Sequence, residues 1–405
     1  MRRVVKVSRI RIIITIIVVV LTTLLTGCTG KEPNEIAYVV ALGIDSTDDD
    51  NYKITIQYAN TTQISGGASE SGGKAGSEIV DNVTIEAPNI YAGVGLANNI
   101  VSKSFSMSHA KLIVFSKEVA EKGVKDMIET LVRSEEIRPD VFIAVANTTA
   151  NDYLTSVNPE MEVNPAQYYQ LIYQKNQLVG IPDGQLREFF TGLYTDNYDS
   201  ILPVAGVIEG SGGNSQNDDK GQSKDSQNEG SEGSSESLDS FESKNSDENE
   251  KEKDAEKNTS KYEYDIKNYV GGETAIEKKN KAEAIGAAVF EKDKMVGELG
   301  EVETEICKML KGDYTYSYLT YYNNDTPDIP ITVKTTQQKK PKYKIDTDKK
   351  TVDIELYIES DLYSLPADYN VENKIEDFER DVANYTSSTC TEFINNFTKS
   401  IIVTF

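Results

Sequence analysis

Few side chains in this sequence could do chemistry, and the first to weigh is its one histidine, His109, in "SMSHAKLIVF". A hydrolase triad or a His-based metal site would have to be built on it. No nucleophile or ligand motif stands nearby in sequence, and the histidine enters a stretch that reads as a strand, so a structural or hydrogen-bonding role is expected. The "GVGLAN" from Gly93 to Asn98 supplies two glycines of a dinucleotide loop. Asn98 takes the third position and no convincing strand precedes it, so it reads as a turn leading into a helix. Carboxylates are abundant, but in a chain this acidic pairs arise by chance, and they act as general acid and base only where a fold converges them. Cys307 and Cys390 are too few for a disulfide scaffold; they could pair, but the favoured reading is two small core residues. The chain does not read as an enzyme, and no cofactor or metal is implied.

The third cysteine is placed differently. Arg2, Arg3, Lys6, Arg9 and Arg11 form a basic head, and Ile12 to Leu25 is apolar apart from Thr15, Thr22 and Thr23. That is a secretory signal pattern, and it falls short of the ~20 apolar residues that span a bilayer. The run ends in "LLTGCTG", where Leu25-Thr26-Gly27-Cys28 resembles the bacterial lipobox. The motif implies that residues 1–27 are a lipoprotein signal peptide and that Cys28 is the lipidated new amino terminus, its thiol carrying a diacylglyceryl group with chains such as palmitate. The alternative is an ordinary signal anchor with an incidental cysteine. Two acyl chains at about 0.8 kcal/mol per buried methylene hold far better than one, so the expected protein is tethered and does not span the membrane.

Charge sets the domain map. A net charge of -24 over 405 residues argues against nucleic acid as a partner and against electrostatic adhesion to anionic headgroups. From Glu209 to about Ser260 the chain is nearly free of aliphatic residues, and acids outnumber lysines. Such a segment cannot bury enough apolar area to offset the entropy of ordering it. Residues 209–275 are therefore read as a disordered acidic linker between an N-terminal mixed α/β domain, 28–208, and a C-terminal α+β domain, 276–405. A second Gly/Ser patch, Ser65 to Ser77, reads as a flexible loop.

The elements within the two domains follow from periodicity. "IAYVVALGI" is a continuous apolar run suited to a strand buried on both faces. After "DSTDDDN", "YKITIQY" alternates, with Tyr52, Ile54, Ile56 and Tyr58 on one face and Lys53, Thr55 and Gln57 on the other; the two make a hairpin. "KLIVF" and "VFIAVA" read as strands around a helix capped by Ser116, with Val124, Met127, Ile128, Leu131 and Val132 on one stripe. Further helices are expected from Tyr153 and over Gln167–Gln177, the latter with Tyr168, Leu171 and Ile172 on one side. Beyond the linker, "IGAAVFEKDKMVGEL" predicts two strands about an "EKDK" turn, followed by a helix with Val302, Ile306, Met309 and Leu310 inward. "TVDIELYIES" predicts a one-sided strand. Val371, Ile375, Phe378, Val382, Tyr385, Thr389, Phe393 and Phe397 recur at amphipathic-helix spacing. The fold class is α+β, at least two mixed domains with β-sheets flanked by helices.

The lipobox, "EIAYVVALGIDSTDDDNYKITIQYAN" from Glu35 and "SFSMSHAKLIVFSKEVAEKGVKDMIETLVRSEEIRPDVFIAVANTTANDYL" from Ser104 together resemble the C subunit of spore germination receptors, the Ger(x)C lipoprotein family. "IGAAVFEKDKMVGELGEVETEICKMLKG" in the second domain is similar to that family's Gly-x-Ala-Val-Phe, lysine-turn, Val-Gly and Glu-x-Glu sequence. The resemblance implies a peripheral subunit of a spore nutrient germinant receptor on the extracytoplasmic face of the spore inner membrane. There it would assemble with A and B membrane subunits to trigger germination. It carries over no catalytic residue and only Cys28 as a chemical site; whether the subunit binds a small molecule itself stays open. The linker is longer than the family pattern needs. Family members also continue past the long helix into an acidic segment, a tryptophan-bearing helix and a closing strand; this chain stops at "SIIVTF" and has no tryptophan, which leaves truncation of the C-terminal domain open. The rival expectation is an extracytoplasmic solute-binding lipoprotein, sharing the anchor but closing two lobes on a ligand.

Overall fold

The computed structural model describes residues 12–18, 35–49, 51–59, 80–159, 162, 164–174, 180–196, 198–208, 268–274, 280–321, 330–364 and 375–400. Cys28, the Ser65–Ser77 patch and the expected linker, apart from 268–274, lie outside the described residues. Residues 12–18 are helical, and among the described residues no helix is long and apolar enough to cross a membrane.

Strand β1 (Ile36–Ser46) carries the continuous apolar run and is buried from Val39 through Asp45. Both of its faces are covered, as in a central strand. β2 (Tyr52–Ala59) returns antiparallel to close the expected hairpin, and β3 (Val80–Ala87) pairs with its far edge. On the other side of β1, β4 (Ser104–Ser106) lies parallel to its first residues and β5 (Leu112–Ser116) to its later ones. β6 (Phe142–Ala146) and β7 (Ile201–Val207) continue the parallel block. β8 (Ala282–Glu291) and β9 (Lys294–Leu299) then extend the same sheet antiparallel, with Ile201 opposite Val289 and Val207 opposite Ala282. The order is β3-β2-β1-β5-β6-β7-β8-β9, so one sheet takes strands from both sides of the acidic segment.

Helices cover both faces of this sheet. α1 (Ile90–Ala97), α2 (Lys117–Lys122), α3 (Lys125–Val132) and, past two helices of the other face, α6 (Leu186–Leu193) share a core with Ile54, Ile113, Ile143 and Phe290. Against the opposite face, α4 (Ala150–Ser156) and α5 (Pro165–Gln174) pack on Leu112, Val114, Ala144 and Ala205. A second, antiparallel sheet of β10 (Tyr316–Tyr321), β11 (Ile331–Asp346) and β12 (Thr351–Ser364) is joined to the first by α7 (Glu301–Lys311) and covered by α8 (Ile375–Ser400). The architecture is mixed, with helices flanking both sheets.

Several details depart from the periodicity reading. The helix expected between β5 and β6 is two helices, broken at Gly123, whose φ is 119°. The next amide, Val124 N–H, turns out to the Asp293 carbonyl in the β8–β9 turn at 3.0 Å, and a Cβ on Gly123 would lie 2.7 Å from the Asp293 carboxylate. Of the predicted stripe, Val124, Met127, Ile128 and Leu131 are buried and Val132 is exposed. The polar face of β2 is only partly solvated: Lys53 is exposed, but Thr55 and Gln57 are fully buried under α4 and α5. Gln57 donates to the Leu154 carbonyl at 2.9 Å and accepts from Tyr169 at 2.6 Å, which meets the cost of burying an amide. On α5 the inward residues are Tyr168, Tyr169 and Tyr173, while Leu171 faces out, because that site offers hydrogen bonds to Gln57, Asn280 and Tyr153 that a phenol makes and leucine does not.

Chain from the two sides of the acidic segment meets closely at Gly206. A Cβ there would stand 1.9 Å from the Gly271 carbonyl carbon, where the 268–274 segment crosses β7. Backbone cannot swing aside as a side chain can, so Gly206→Ala should destabilise the fold by about 3 kcal/mol, read as a lower urea midpoint at unchanged slope. An unaltered midpoint would mean that this crossing is not part of the stable fold.

Candidate functional site

Cys28, the residue the sequence singles out for chemistry, lies outside the described residues. His109 is exposed, with Nδ1 3.1 Å from Ser108 Oγ and its ring edge-on to Tyr38 at 4.7 Å, a hydrogen-bonding and stacking role. Gly93 to Ala97 lie within α1, and Gly93 is small because a Cβ would press on Ile54 at 2.6 Å. A strand does precede that helix: β3, an edge strand whose alternation is interrupted by Asp81 and Asn82 and therefore faint in sequence. Cys307 and Cys390 are free, buried thiols in one cluster with Val289, Leu299 and Phe393. Burial pushes both up to about 11, keeping them protonated and poor nucleophiles. Among the described residues no group of three or more His, Cys, Asp or Glu could hold a metal ion.

What the fold does converge is a charged joint on α7. The helix starts where Asn268 Oδ1 accepts the Val302 N–H at 3.1 Å and ends at Gly312 in the left-handed region, φ 77°. Between these ends Glu305 points toward the second sheet and accepts from Ser317 of β10 at 2.6 Å. Burial raises its carboxyl to about 7, against the Ser317 hydroxyl, Lys308 and the Gly180 amide, which favour the charged form. Lys308 is buried and donates to the Ile181 carbonyl at 3.1 Å; burial lowers it, opposed by Glu305, Asp313 and Asp183. Asp183 and Glu188 are both raised, chiefly by burial. Gln337 reaches the Met309 carbonyl at 2.9 Å, and Tyr343 hydrogen-bonds the Leu310 carbonyl. The α7 side chains therefore fasten the Gly180–Asp183 loop of the large sheet to the three-stranded sheet. Burial favours the protonated form of Glu305; sequence patterning missed the group because its members lie far apart along the chain. Beside it runs a trough of about 990 Å³ between β12 and α8, lined by Ile354, Leu356, Ile358, Phe378 and Val382 among others.

Both halves of this scaffold match known family models in chain order. Residues 30–207 match the spore germination protein N-terminal domain, and residues 285–401 match the spore germination B3/GerAC-like C-terminal domain. The chain belongs to the Ger(x)C family. The boundary between the two matched segments of this Ger(x)C protein falls in the acidic stretch, while the β7–β8 pairing crosses it. Among relatives, spore germination protein KC of Bacillus subtilis (strain 168) is 26% identical over 174 residues, 40% of this chain and 42% of KC. Spore germination protein B3 of the same organism is 26% identical over 148 residues, 34% of this chain and 36% of B3. Each match thus spans less than half of the relative's length. The crystal structure of the GerBC protein aligns with 88% of this chain and 81% of GerBC at a TM-score of 0.42 and 14% identity.

Proposed function

We propose that this Ger(x)C protein is a lipid-anchored peripheral subunit of a spore nutrient germinant receptor. It is held at Cys28 on the extracytoplasmic face of the spore inner membrane and works by protein–protein contact with A and B membrane subunits. The observation that carries the reading is the ordered match of both family domains, one on each side of the acidic segment, behind a leader that ends in a lipobox-like "LTGC". Confinement to a surface raises effective concentration, so modest contacts can hold such a complex. The shared sheet also weighs against the solute-binding alternative, since strands from both halves pair edge to edge where a two-lobed binding protein would need a cleft. No catalytic role is assigned to any residue.

Affinity isolation of the tagged chain from detergent-solubilised spore membranes should recover two integral membrane proteins. Deletion of its gene should abolish the germination response to one class of nutrient. Recovery of the chain alone, together with specific calorimetric binding of a nutrient to the soluble chain, would favour the solute-binding reading.

A further inference from the structure

One end of the molecule differs in charge from the rest. In a chain of net charge -24, no Asp or Glu occurs from Ala87 through Lys117, a stretch that carries Lys103, Lys111, Lys117 and His109. It builds α1, the turn after it, β4 and β5. Two antiparallel steps make β3 parallel to β1, so α1 leaves the far end of the sheet and runs back toward the beginning of β1. There Asn98 Oδ1 accepts the Phe105 N–H at 2.8 Å, and Ser104–Ser106 pairs with Ile36–Tyr38. Ile100, in the turn between Asn98 and β4, is 65% exposed, and Leu96 on the outer side of α1 is 48% exposed.

The surrounding charges are mixed: Glu35 stands exposed just before β1, and Arg133 pairs with Glu129 at 2.8 Å. The 133–140 segment adds Arg133 and Arg138 against Glu135, Glu136 and Asp140, of which Glu136 accepts the Met107 N–H at 2.7 Å and Asp140 pairs with Arg138 at 3.1 Å. Asp81 accepts from Tyr58 at 2.9 Å. An acidic protein is repelled by an anionic membrane surface, so the face able to approach is the one short of carboxylates. Ile36 follows Cys28 by eight residues, a reach of at most about 28 Å.

Resting on the proposed lipid anchor, we infer that the α1–β4 end is the face seated on the bilayer, with Ile100 and Leu96 entering the headgroup region. The tether delivers this end to the surface, and exposed apolar side chains beside lysines partition into the interface.

The chain contains no tryptophan, so I100W or L96W introduces a sole, background-free reporter. The full lipidated protein would be placed in phosphatidylcholine vesicles containing a minority of phosphatidylglycerol, with and without brominated acyl chains. Emission of I100W and L96W should be blue-shifted and quenched by the brominated lipid, whereas I345W, near the tip of the β11–β12 hairpin and 69% exposed, should be unaffected. Flotation of the same samples separates the two ideas. Protein that fails to float removes the anchor reading, while protein that floats with both reporters unquenched overturns the seating alone. Quenching of I345W instead would put the β11–β12 hairpin tip on the membrane and overturn the seating. Shielding of I100W only after membrane subunits are added, without bromine quenching, would assign this surface to a protein contact and overturn the lipid assignment.

Discussion

Cys28→Ala should move the protein from the membrane fraction of spores to the soluble fraction and abolish its recovery with membrane partners. On the proposed anchor, the diacylglyceryl group attaches through the thiol, and alanine offers no sulfur to carry it. Two chains of about 15 methylenes each, at about 0.8 kcal/mol per buried methylene, amount to more than 10 kcal/mol even after large losses. No other part of the described chain replaces that: among the described residues no helix is long and apolar enough to span, and the net charge is -24. Exposed apolar side chains such as Ile100 are too few to hold the protein alone, so release should be nearly complete. Fractionation followed by mass spectrometry of the mature amino terminus checks the expectation. Full membrane retention of the variant, or a bare residue 28 behind an uncleaved leader in the native protein, would remove the anchor and with it the seating inferred from it.

Glu305→Gln should stabilise the protein at alkaline pH and leave it unchanged in acid. The Glu305 carboxyl is raised from 4.5 to about 7, mainly by burial, so the folded state holds a proton that the unfolded chain has released across that window. Its contribution is fully present below pH 4.5 and is lost as pH rises through 7, a decline of about 3 kcal/mol for a shift of this size. Glutamine keeps an acceptor for the Ser317 hydroxyl and never carries the charge. The groups facing it are Ser317 from β10, the Gly180 amide from the loop, and Glu301 and Lys308 from α7 itself. Lys308 retains its Ile181 carbonyl and its attraction to Asp183 and Asp313 in the variant. Denaturant midpoints of the two proteins should therefore coincide near pH 4 and separate toward pH 8, with the variant higher by about 2–3 kcal/mol. Parallel curves would show that Glu305 is ionised at the joint throughout. A variant less stable at every pH would show instead that the carboxylate is needed there as an acceptor.

These two residues mark opposite limits of what a sequence discloses. Cys28 is legible because its signal is local: a basic head, an apolar run and a cysteine three residues past a leucine. β1 is legible for a similar reason, since burial on both faces requires an unbroken apolar run, and the β1–β2 hairpin follows from that run and the alternating "YKITIQY" on either side of an acidic turn. The two strands about "EKDK" and the long amphipathic helix at 375–400 were equally plain. Glu305 gives no such sign. In sequence it is one of 66 acids, and only the approach of Ser317 and the Gly180–Asp183 loop makes it a buried one. Asp45 is similar: it is the penultimate residue of β1 yet accepts the Ala150 and Asn151 amides at 2.6 and 3.1 Å, anchoring the start of α4 from far along the chain.

By itself, the amino-acid sequence determined the acidic stretch, the order and type of most elements, and the family, and it proposes the leader and its cysteine. Each of these is written in neighbouring residues, through hydrophobic period, charge density or motif. Only the tertiary structure decided that β8 and β9 extend the sheet begun by β1, that Thr55 and Gln57 of β2 are covered, and that α7 joins two sheets through a buried carboxylate. Strand edges carry the same N–H and C=O groups whatever their side chains, so which edge meets which is set by the global arrangement of surfaces. A polar residue, likewise, is solvated or buried according to what distant chain arrives above it.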